Sequence, residues 1–286
     1  MFTMEGTFDL HVHAFPDVTE RLADDLTIAR KCREAGMCGI AVKAMQESTT
    51  SRAYYVNQLL ADFRMVGGVC LNYPIGGINP SAVDTALRCG GRIVWMPTIQ
   101  SKFHAELKGK LGKGSAGLYY YNPAGSTGIT ILDEQGNLSE PTKEVVSLVK
   151  EHNALIGTSH LSPGEIIKLV RYCRDEKVKI IVNHLGWTPQ YDIELARAAV
   201  ADYAHIELTA VTFGGYTHKM EISDCIHLIR TLGKRNVVLS TDAGAVRFAQ
   251  PCEYLRTFAE NLISGGIDAQ DVREMMSINP LELIAE

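Results

Sequence analysis

Hydrophobic and polar positions along the chain follow a repeating unit. A short run rich in β-branched residues is followed by a polar turn and then by a stretch with apolar residues at helical spacing. The predicted strands cover residues 7–13, 38–44, 65–72, 92–97, 155–160, 179–184, 205–211 and 236–241. The predicted helices cover residues 24–36, 51–64, 80–89, 142–151, 164–175, 192–203, 221–232, 252–264 and 268–276.

Strands that alternate with helices pair in parallel, and helices then cover both faces of the sheet. The segments IAVKA, KIIVNH and VVLST are apolar on both faces, as such buried strands require. A doubly wound open sheet is the alternative, but no glycine-rich turn follows an early strand. The pattern therefore predicts an α/β fold, a (β/α)8 TIM barrel, formed by a single domain over residues 1–286.

The repeating unit is interrupted once, after the fourth predicted strand. Residues 100–140 are rich in Gly, Lys, Tyr and Ser, and ITILDEQGN within them is typical of a strand that runs into a turn. Loops of this length are commonly lids or binding loops. We therefore predict an insertion at this position that contains a small hairpin.

Composition and charge narrow the classes of partner. The net charge is −5 and no run of Lys or Arg occurs, which argues against nucleic acid as a partner. No apolar stretch is long enough for a membrane helix, and the start lacks the pattern of a signal peptide. The seven cysteines are scattered without CxxC spacing, as expected for free thiols in a reducing compartment. A cytoplasmic protein that acts on a small molecule is expected, and a homo-oligomer stays open.

Residues that bind metals cluster at the carboxyl ends of the predicted strands, where barrel enzymes carry their active sites. The candidates are His11 and His13 on strand one, His160 on strand five, His184 on strand six and Asp242 on strand eight. Imidazole nitrogens and a carboxylate suit Zn²⁺ or a similar divalent ion, and such a set leaves a position open for water. We therefore predict a divalent metal, with zinc as the expected element and one or two ions per site.

Five segments resemble the amidohydrolase superfamily: FDLHVHAFPD, GTSHLS, IVNHLG, LSTDAG and the tail MMSINPLELI. The resemblance implies HxH on strand one, a Lys or Glu ligand on strand four, His on strands five and six, and Asp on strand eight. This sequence departs from the pattern at strand four, where RIVWMPT offers neither Lys nor Glu. Either the site holds one metal ion, or Lys43 reaches in from strand two. Lys43 could also pair with Glu47 or bind an anionic substrate as a point charge.

The resemblance also implies roles for individual residues. Asp242 would hold the attacking water and accept its proton, and His184 would polarise the substrate carbonyl or serve as a ligand. Candidate substrate contacts lie in the insertion and the loops after strands six and eight: Tyr119, Tyr120, Trp187 and Arg247. Three other histidines, His104, His152 and His227, are expected on the surface. Glu207 lies on strand seven, where alternation does not decide between the mouth and the interior.

The predicted activity is hydrolysis of a C–N or C–O bond in a small, cyclic amide or lactone-like compound. Three alternatives stay open. The first is a mononuclear decarboxylase on the same barrel, which the missing strand-four ligand favours. The second is a phosphoesterase of the polymerase-and-histidinol-phosphatase type, which also begins with an HxH strand. The third is a non-catalytic barrel that binds a ligand.

Overall fold

The computed structural model describes residues 2–114, 120–213 and 220–285. Strands in these residues are β1 (Phe8–Val12), β2 (Gly39–Val42), β3 (Arg64–Val66), β4 (Gly68–Cys70), β5 (Ile93–Trp95), β6 (Leu155–Gly157), β7 (Lys179–Val182), β8 (His205–Thr209) and β9 (Val237–Ser240). The α-helices are α1 (Asp25–Glu34), α2 (Thr50–Leu59), α3 (Pro80–Arg88), α4 (Lys102–Lys108), α5 (Glu140–Glu151), α6 (Pro163–Glu176), α7 (Ile193–Asp202), α8 (Ala210–Phe213), α9 (Ile222–Leu232), α10 (Pro251–Ser264), α11 (Ala269–Met276) and α12 (Ile278–Leu283).

The strands pair in parallel and in chain order, as two sheets: β1-β2-β3 and β4-β5-β6-β7-β8-β9. The third predicted strand is thus two strands, β3 and β4, separated by Gly67. A Cβ at Gly67 would lie 2.7 Å from the Cα of Thr50, so glycine is required for this close approach. The predicted fourth to eighth strands correspond to β5–β9. The α/β class and the barrel order are confirmed, with a ladder divided into two sheets.

The two sheets adjoin at two places. The first is Gly67, between β3 and β4, and the second joins β9 to β1; the strands β1–β9 in this order are called the ring below. Val12 and Ala243 form a parallel bridge, and the amide of Asp242 donates to the carbonyl of His11 at 2.9 Å. The buried carboxylate of Asp9 holds the same junction, since it accepts the Oγ1–H of Thr241 at 2.5 Å and the amide of His11 at 3.1 Å. The candidate ligands on β1 and after β9 are therefore fixed to each other through the backbone.

An irregularity in the pairing of β1 with β2 changes which face of the strand its side chains occupy. The register of β1 against β2 changes between Asp9 and Val12. Leu10 belongs to the apolar cluster inside the ring, yet its neighbour His11 also points inward, where it contacts Glu207. Strict alternation would place these two neighbours on opposite faces. The irregularity thus joins an apolar interior to a polar mouth on one strand, which is a common use of such features near active sites.

The interior of the ring is apolar below the mouth. The buried residues that fill it come from most of the strands and from the end of the chain: Phe8, Leu10, Ala41, Val66, Cys70, Ile93, Trp95, Leu155, Ile181, Val238, Leu283 and Ile284. A second, larger cluster lies between the strands and the surrounding helices. Burying each such large side chain contributes about 1.5–3 kcal/mol. The candidate ligands at the mouth therefore lie above a packed apolar core.

The insertion carries both a helix and the predicted hairpin. Its helix is α4, and its hairpin pairs Leu132 with Leu138 in antiparallel fashion, with the amide of Asp133 donating to the carbonyl of Asn137 at 2.8 Å. Ser101 at the start of the insertion pairs with Ile129 near its end, which closes the segment on itself. Among the described helices, none has the length and apolar character needed to cross a membrane.

Candidate metal centre

Two imidazoles and one carboxylate meet at the junction of β1 and β9. The Nε2 of His11 lies 3.2 Å from Oδ1 of Asp242, and the Nε2 of His13 lies 3.1 Å from the same oxygen. The side chains of both histidines are almost entirely enclosed, and that of Asp242 is 21% exposed. The three candidate ligand atoms therefore face one another at the mouth of the ring.

The outer nitrogen of each imidazole is already engaged. The Nδ1 of His13 lies 2.8 Å from the carbonyl oxygen of Lys43, which can only accept a hydrogen bond. The Nδ1 of His11 lies 3.1 Å from Oε1 of Glu207, a carboxylate that likewise only accepts. Both Nδ1 atoms therefore carry hydrogen, and both Nε2 lone pairs face the carboxylate of Asp242. Lone pairs and an anion repel at this distance. The ammonium of Lys43, 3.4 Å from Nε2 of His11, offsets part of this repulsion, and a metal cation among the three atoms would relieve the rest.

Glu207 is a residue whose role the sequence left open. It is fully buried, and its carboxylate accepts hydrogen bonds from Ser240 Oγ at 2.8 Å and Asn183 Nδ2 at 3.0 Å, besides the contact to His11. Burial opposes its ionisation, but the interactions with His11, His184 and Asn183 outweigh burial and lower its pKa to about 2. Glu207 is thus an ionised carboxylate that orients the ring of His11.

His184 and Asp242 share an uncommon backbone conformation. Their φ angles are 57° and 55°, in the left-handed region, and each residue follows the end of a strand. The Nε2 of His184 lies 3.9 Å from Oδ2 of Asp242, and its Nδ1 lies 3.5 Å from Oε2 of Glu207. This Nδ1 is buried and has no hydrogen-bond partner among the described residues. Left-handed residues cost about 1–3 kcal/mol and persist where the surroundings enforce them, commonly at functional sites.

The residues brought together fit a divalent ion. Two sets place their candidate ligand atoms within 4.8 Å of one another, and they are His11, His13 and Asp242, and His11, His184 and Glu207. Burial lowers the pKa of His13 and of His184 to about 4. Burial opposes ionisation of Asp242, but the neighbouring histidines hold its pKa well below its usual range. At neutral pH His13 and His184 are therefore neutral, and Asp242 and Glu207 are ionised, the state in which these groups bind metals.

His160 lies beside these sets and belongs to neither. Its ring is 5.0 Å from that of His184, and its Nδ1 lies 2.8 Å from Nδ1 of His104. The prediction that His104 lies on the surface is wrong, because helix α4 of the insertion carries it into the site, where it is 3% exposed. No periodic pattern in the insertion pointed to this. A role for His160 as a ligand stays a prediction.

Lys43, directly after β2, and Trp95, at the end of β5, lie beside each other. The Nζ of Lys43 lies 3.4 Å from Nε2 of His11 and 5.5 Å from the centre of the Trp95 ring. Lys43 is 1% exposed, and no carboxylate of the described residues lies within 4 Å of its Nζ. Glu47, its suggested partner, pairs instead with Arg52 at 2.8 Å. Trp95 ends β5, close to where the superfamily pattern expects a strand-four ligand.

The other predicted substrate contacts lie in different surroundings. Trp187 stacks on His160 with ring centroids 4.2 Å apart, whereas Tyr120 is 7% exposed and burial raises its pKa to about 12. Arg247 is exposed and lies over the ring of Phe248 at 5.1 Å. Tyr119 lies outside the described residues. Trp187 is therefore the one of the described three that directly contacts a candidate ligand through an aromatic stack.

The architecture is shared with solved structures of the amidohydrolase type. An amidohydrolase from Pseudomonas aeruginosa has a TM-score of 0.65 at 12% identity, over 98% of this chain and 95% of that chain. A probable dipeptidase, PvdM, from the same organism has 0.61 at 13%, over 97% and 94%. A 2,6-dihydroxybenzoate decarboxylase from Rhizobium has 0.53 at 14%, over 98% and 99%. The resemblance to the amidohydrolase superfamily is confirmed for the fold, which is what identities this low establish.

Sequence comparison identifies the immediate family. Residues 6–207 match the model of a family described as "Family of unknown function (DUF6282)", and the chain belongs to that family. The matched range contains every candidate ligand except Asp242. No curated protein matches the sequence.

Proposed function

We propose that this protein is a hydrolase that depends on a single divalent metal ion, with zinc as the metal, and that it cleaves a C–N or C–O bond of a small cyclic amide or lactone. One observation carries the proposal. The Nε2 atoms of His11 and His13 face one carboxylate oxygen of Asp242 at 3.1–3.2 Å, while hydrogen bonds occupy both outer nitrogens. This set of two nitrogens and one oxygen leaves room for water in a fourth position.

The ion would supply Lewis acidity, which lowers the pKa of water and polarises a carbonyl oxygen. The chain's own residues would handle the proton. Asp242 is ionised and partly exposed, so its carboxylate can hold a water molecule, accept its proton and return the proton to the leaving group. His184 lies 3.9 Å from the other oxygen of Asp242 and would contact the substrate oxygen as charge develops there.

A single ion follows from what occupies the rest of the mouth. The β5 position nearest to a strand-four ligand holds Trp95, and the ammonium of Lys43 lies over its ring. The indole of Trp95 offers only an N–H donor, so this position of β5 supplies no ligand for a second ion. We assign Lys43 to the substrate instead, because a buried ammonium without a carboxylate is stabilised by an anionic group. A substrate with a carboxylate or an enolate oxygen near the scissile bond fits this charge.

Decarboxylation is the second candidate, and the positions of Trp95 and Lys43 favour it. With Trp95 in place of a ligand on β5 and a buried lysine beside His11, the mouth can receive a carboxylate next to a single ion. A decarboxylase from Rhizobium shares the fold. Hydrolysis is placed first because the carboxylate of Asp242 is ionised and partly open, as activation of water requires.

One assay separates these functions. The zinc-loaded protein is offered cyclic amides, lactones, hydroxybenzoates and phosphate monoesters, with product analysis and detection of released carbon dioxide. We expect ring opening without carbon dioxide, and a loss of about 10²–10⁴-fold in turnover for Asp242→Asn. Asparagine tolerates the left-handed backbone at this position, so the variant should fold. Carbon dioxide release would favour the second candidate, phosphate release the phosphoesterase, and unchanged turnover in Asp242→Asn would refute the proposed role of Asp242.

A further inference from the structure

We infer that His104 is a positioning residue that fixes the tautomer of His160, so that Nδ1 of His160 carries hydrogen and Nε2 presents the free lone pair. The inference concerns the geometry of the metal-free protein. Its consequence for metal binding rests on the proposed function.

The insertion is built to bring these two imidazoles together. Ser101, at the start of α4, donates its hydroxyl to the carbonyl of His160 at 2.6 Å and accepts the amide of His104 at 3.0 Å. The two rings lie edge to edge and almost coplanar, with centroids 5.0 Å apart and planes 8° apart, as a hydrogen bond between ring nitrogens requires. Trp187 stacks on the pair, 4.2 Å from His160 and 5.3 Å from His104. Neither ring can turn without disturbing this stack.

The hydrogen bonds then determine which nitrogen carries the proton. The Nε2 of His104 lies 2.9 Å from the carbonyl oxygen of Lys113, which can only accept, so this nitrogen carries hydrogen. A neutral imidazole has one N–H, and Nδ1 of His104 is therefore an acceptor. It lies 2.8 Å from Nδ1 of His160, which must donate. The Nε2 of His160 is then unprotonated and able to bind a metal or accept a proton.

The opposite arrangement requires a charged His104. In that case both nitrogens of His104 would donate, and Nδ1 of His160 would be the acceptor. A buried imidazolium is costly without an anion, and no carboxylate of the described residues lies within 4 Å of His104. The same packing rules out Nδ1 of His160 as a metal-binding atom unless the contact with His104 breaks. The chain from Lys113 through His104 to His160 therefore acts as one unit, in the manner of groups that orient metal ligands from behind.

The test reads the tautomers directly. Protein with ¹⁵N-labelled histidine is prepared free of metal, and long-range ¹H–¹⁵N correlation spectra at neutral pH distinguish Nδ1–H from Nε2–H rings. His160 is assigned by comparison with His160→Gln. We expect the Nδ1–H form for His160 and the Nε2–H form for His104. An Nε2–H form of His160 in the wild type overturns the inference.

Two variants then separate positioning from packing. His104→Gln can still donate to Lys113 and accept from His160, whereas His104→Leu fills similar space without an acceptor. We expect His160 to keep its tautomer in His104→Gln and to show a mixture in His104→Leu, with His152→Leu as the matched control outside the site. An unmixed Nδ1–H form in His104→Leu refutes the role of His104.

The effect of His104 on metal binding is tested with Zn²⁺ alone. We expect the affinity for Zn²⁺ to fall by about 10–100-fold in His104→Leu and to stay within a few-fold of the wild type in His104→Gln. Equal affinity in both variants would remove His160 from the ligands. If the wild type binds no zinc, the proposed function fails, while the tautomers still decide the inference.

Discussion

The Nδ1 of His11 lies 3.1 Å from Oε1 of Glu207, across 196 positions of the sequence. This contact links β1 to β8 past the intervening β9, and it sets which nitrogen of His11 faces Asp242. The orientation of the candidate metal centre therefore depends on a carboxylate that is not in the set of His11, His13 and Asp242.

The first prediction follows from that contact. In Glu207→Gln the side-chain amide replaces one acceptor oxygen with a donor, so it cannot satisfy His11, Asn183 and Ser240 together. We expect zinc affinity to fall by about 10–100-fold, measured by competition with a chelator. The exposed Glu134→Gln is the matched control. Wild-type affinity in a well-folded Glu207→Gln would show that Glu207 does not orient the ligands.

A second prediction concerns the packing below the site. A Cβ at Gly157 would lie 2.6 Å from Oδ1 of Asn183 and 2.7 Å from Cδ1 of Trp95, both of which are buried. We expect Gly157→Ala to lower the free energy of unfolding by about 1–3 kcal/mol in denaturant titrations, because the core is overpacked. Gly164→Ala adds a Cβ with nothing within 4 Å and serves as the control. Equal stability of the two variants would contradict the packing described here.

A third prediction tests the assignment of Lys43 to the substrate. Lys43→Met keeps an apolar side chain over Trp95 and removes the charge beside His11. Once a turned-over anionic substrate is known, we expect KM to rise by at least about tenfold, since a charged hydrogen bond contributes roughly 1.5–3 kcal/mol. Zinc content should not change. Loss of zinc from this variant would instead identify Lys43 as a ligand.

The order of elements could be predicted from the sequence, because each strand and helix carries its own periodicity. The positions of His11, His13, His184 and Asp242 at the mouth follow from that order, since parallel strands bring their carboxyl ends together. The division of the third strand at Gly67 was missed, because a single glycine in an apolar run leaves the pattern of the strand intact.

What the sequence could not show depends on contacts between distant segments. His104 lies in an insertion without periodic pattern, so nothing marked it as buried, and only the packing of α4 brings it to His160. Glu207 belongs to a strand whose phase of alternation is not visible in the sequence. The surroundings of Lys43 likewise depend on a distant residue, Trp95, whose ring centre lies 5.5 Å from its Nζ.

The most direct test of the central claim is the location of the metal. Protein loaded with zinc and washed free of excess metal is measured for zinc content and then crystallised, with anomalous data collected on both sides of the zinc absorption edge. The account predicts a single zinc ion per chain, with ligands that include Nε2 of His11, Nε2 of His13 and the carboxylate of Asp242. A folded protein that retains no zinc, or an anomalous peak away from these three residues, would contradict it.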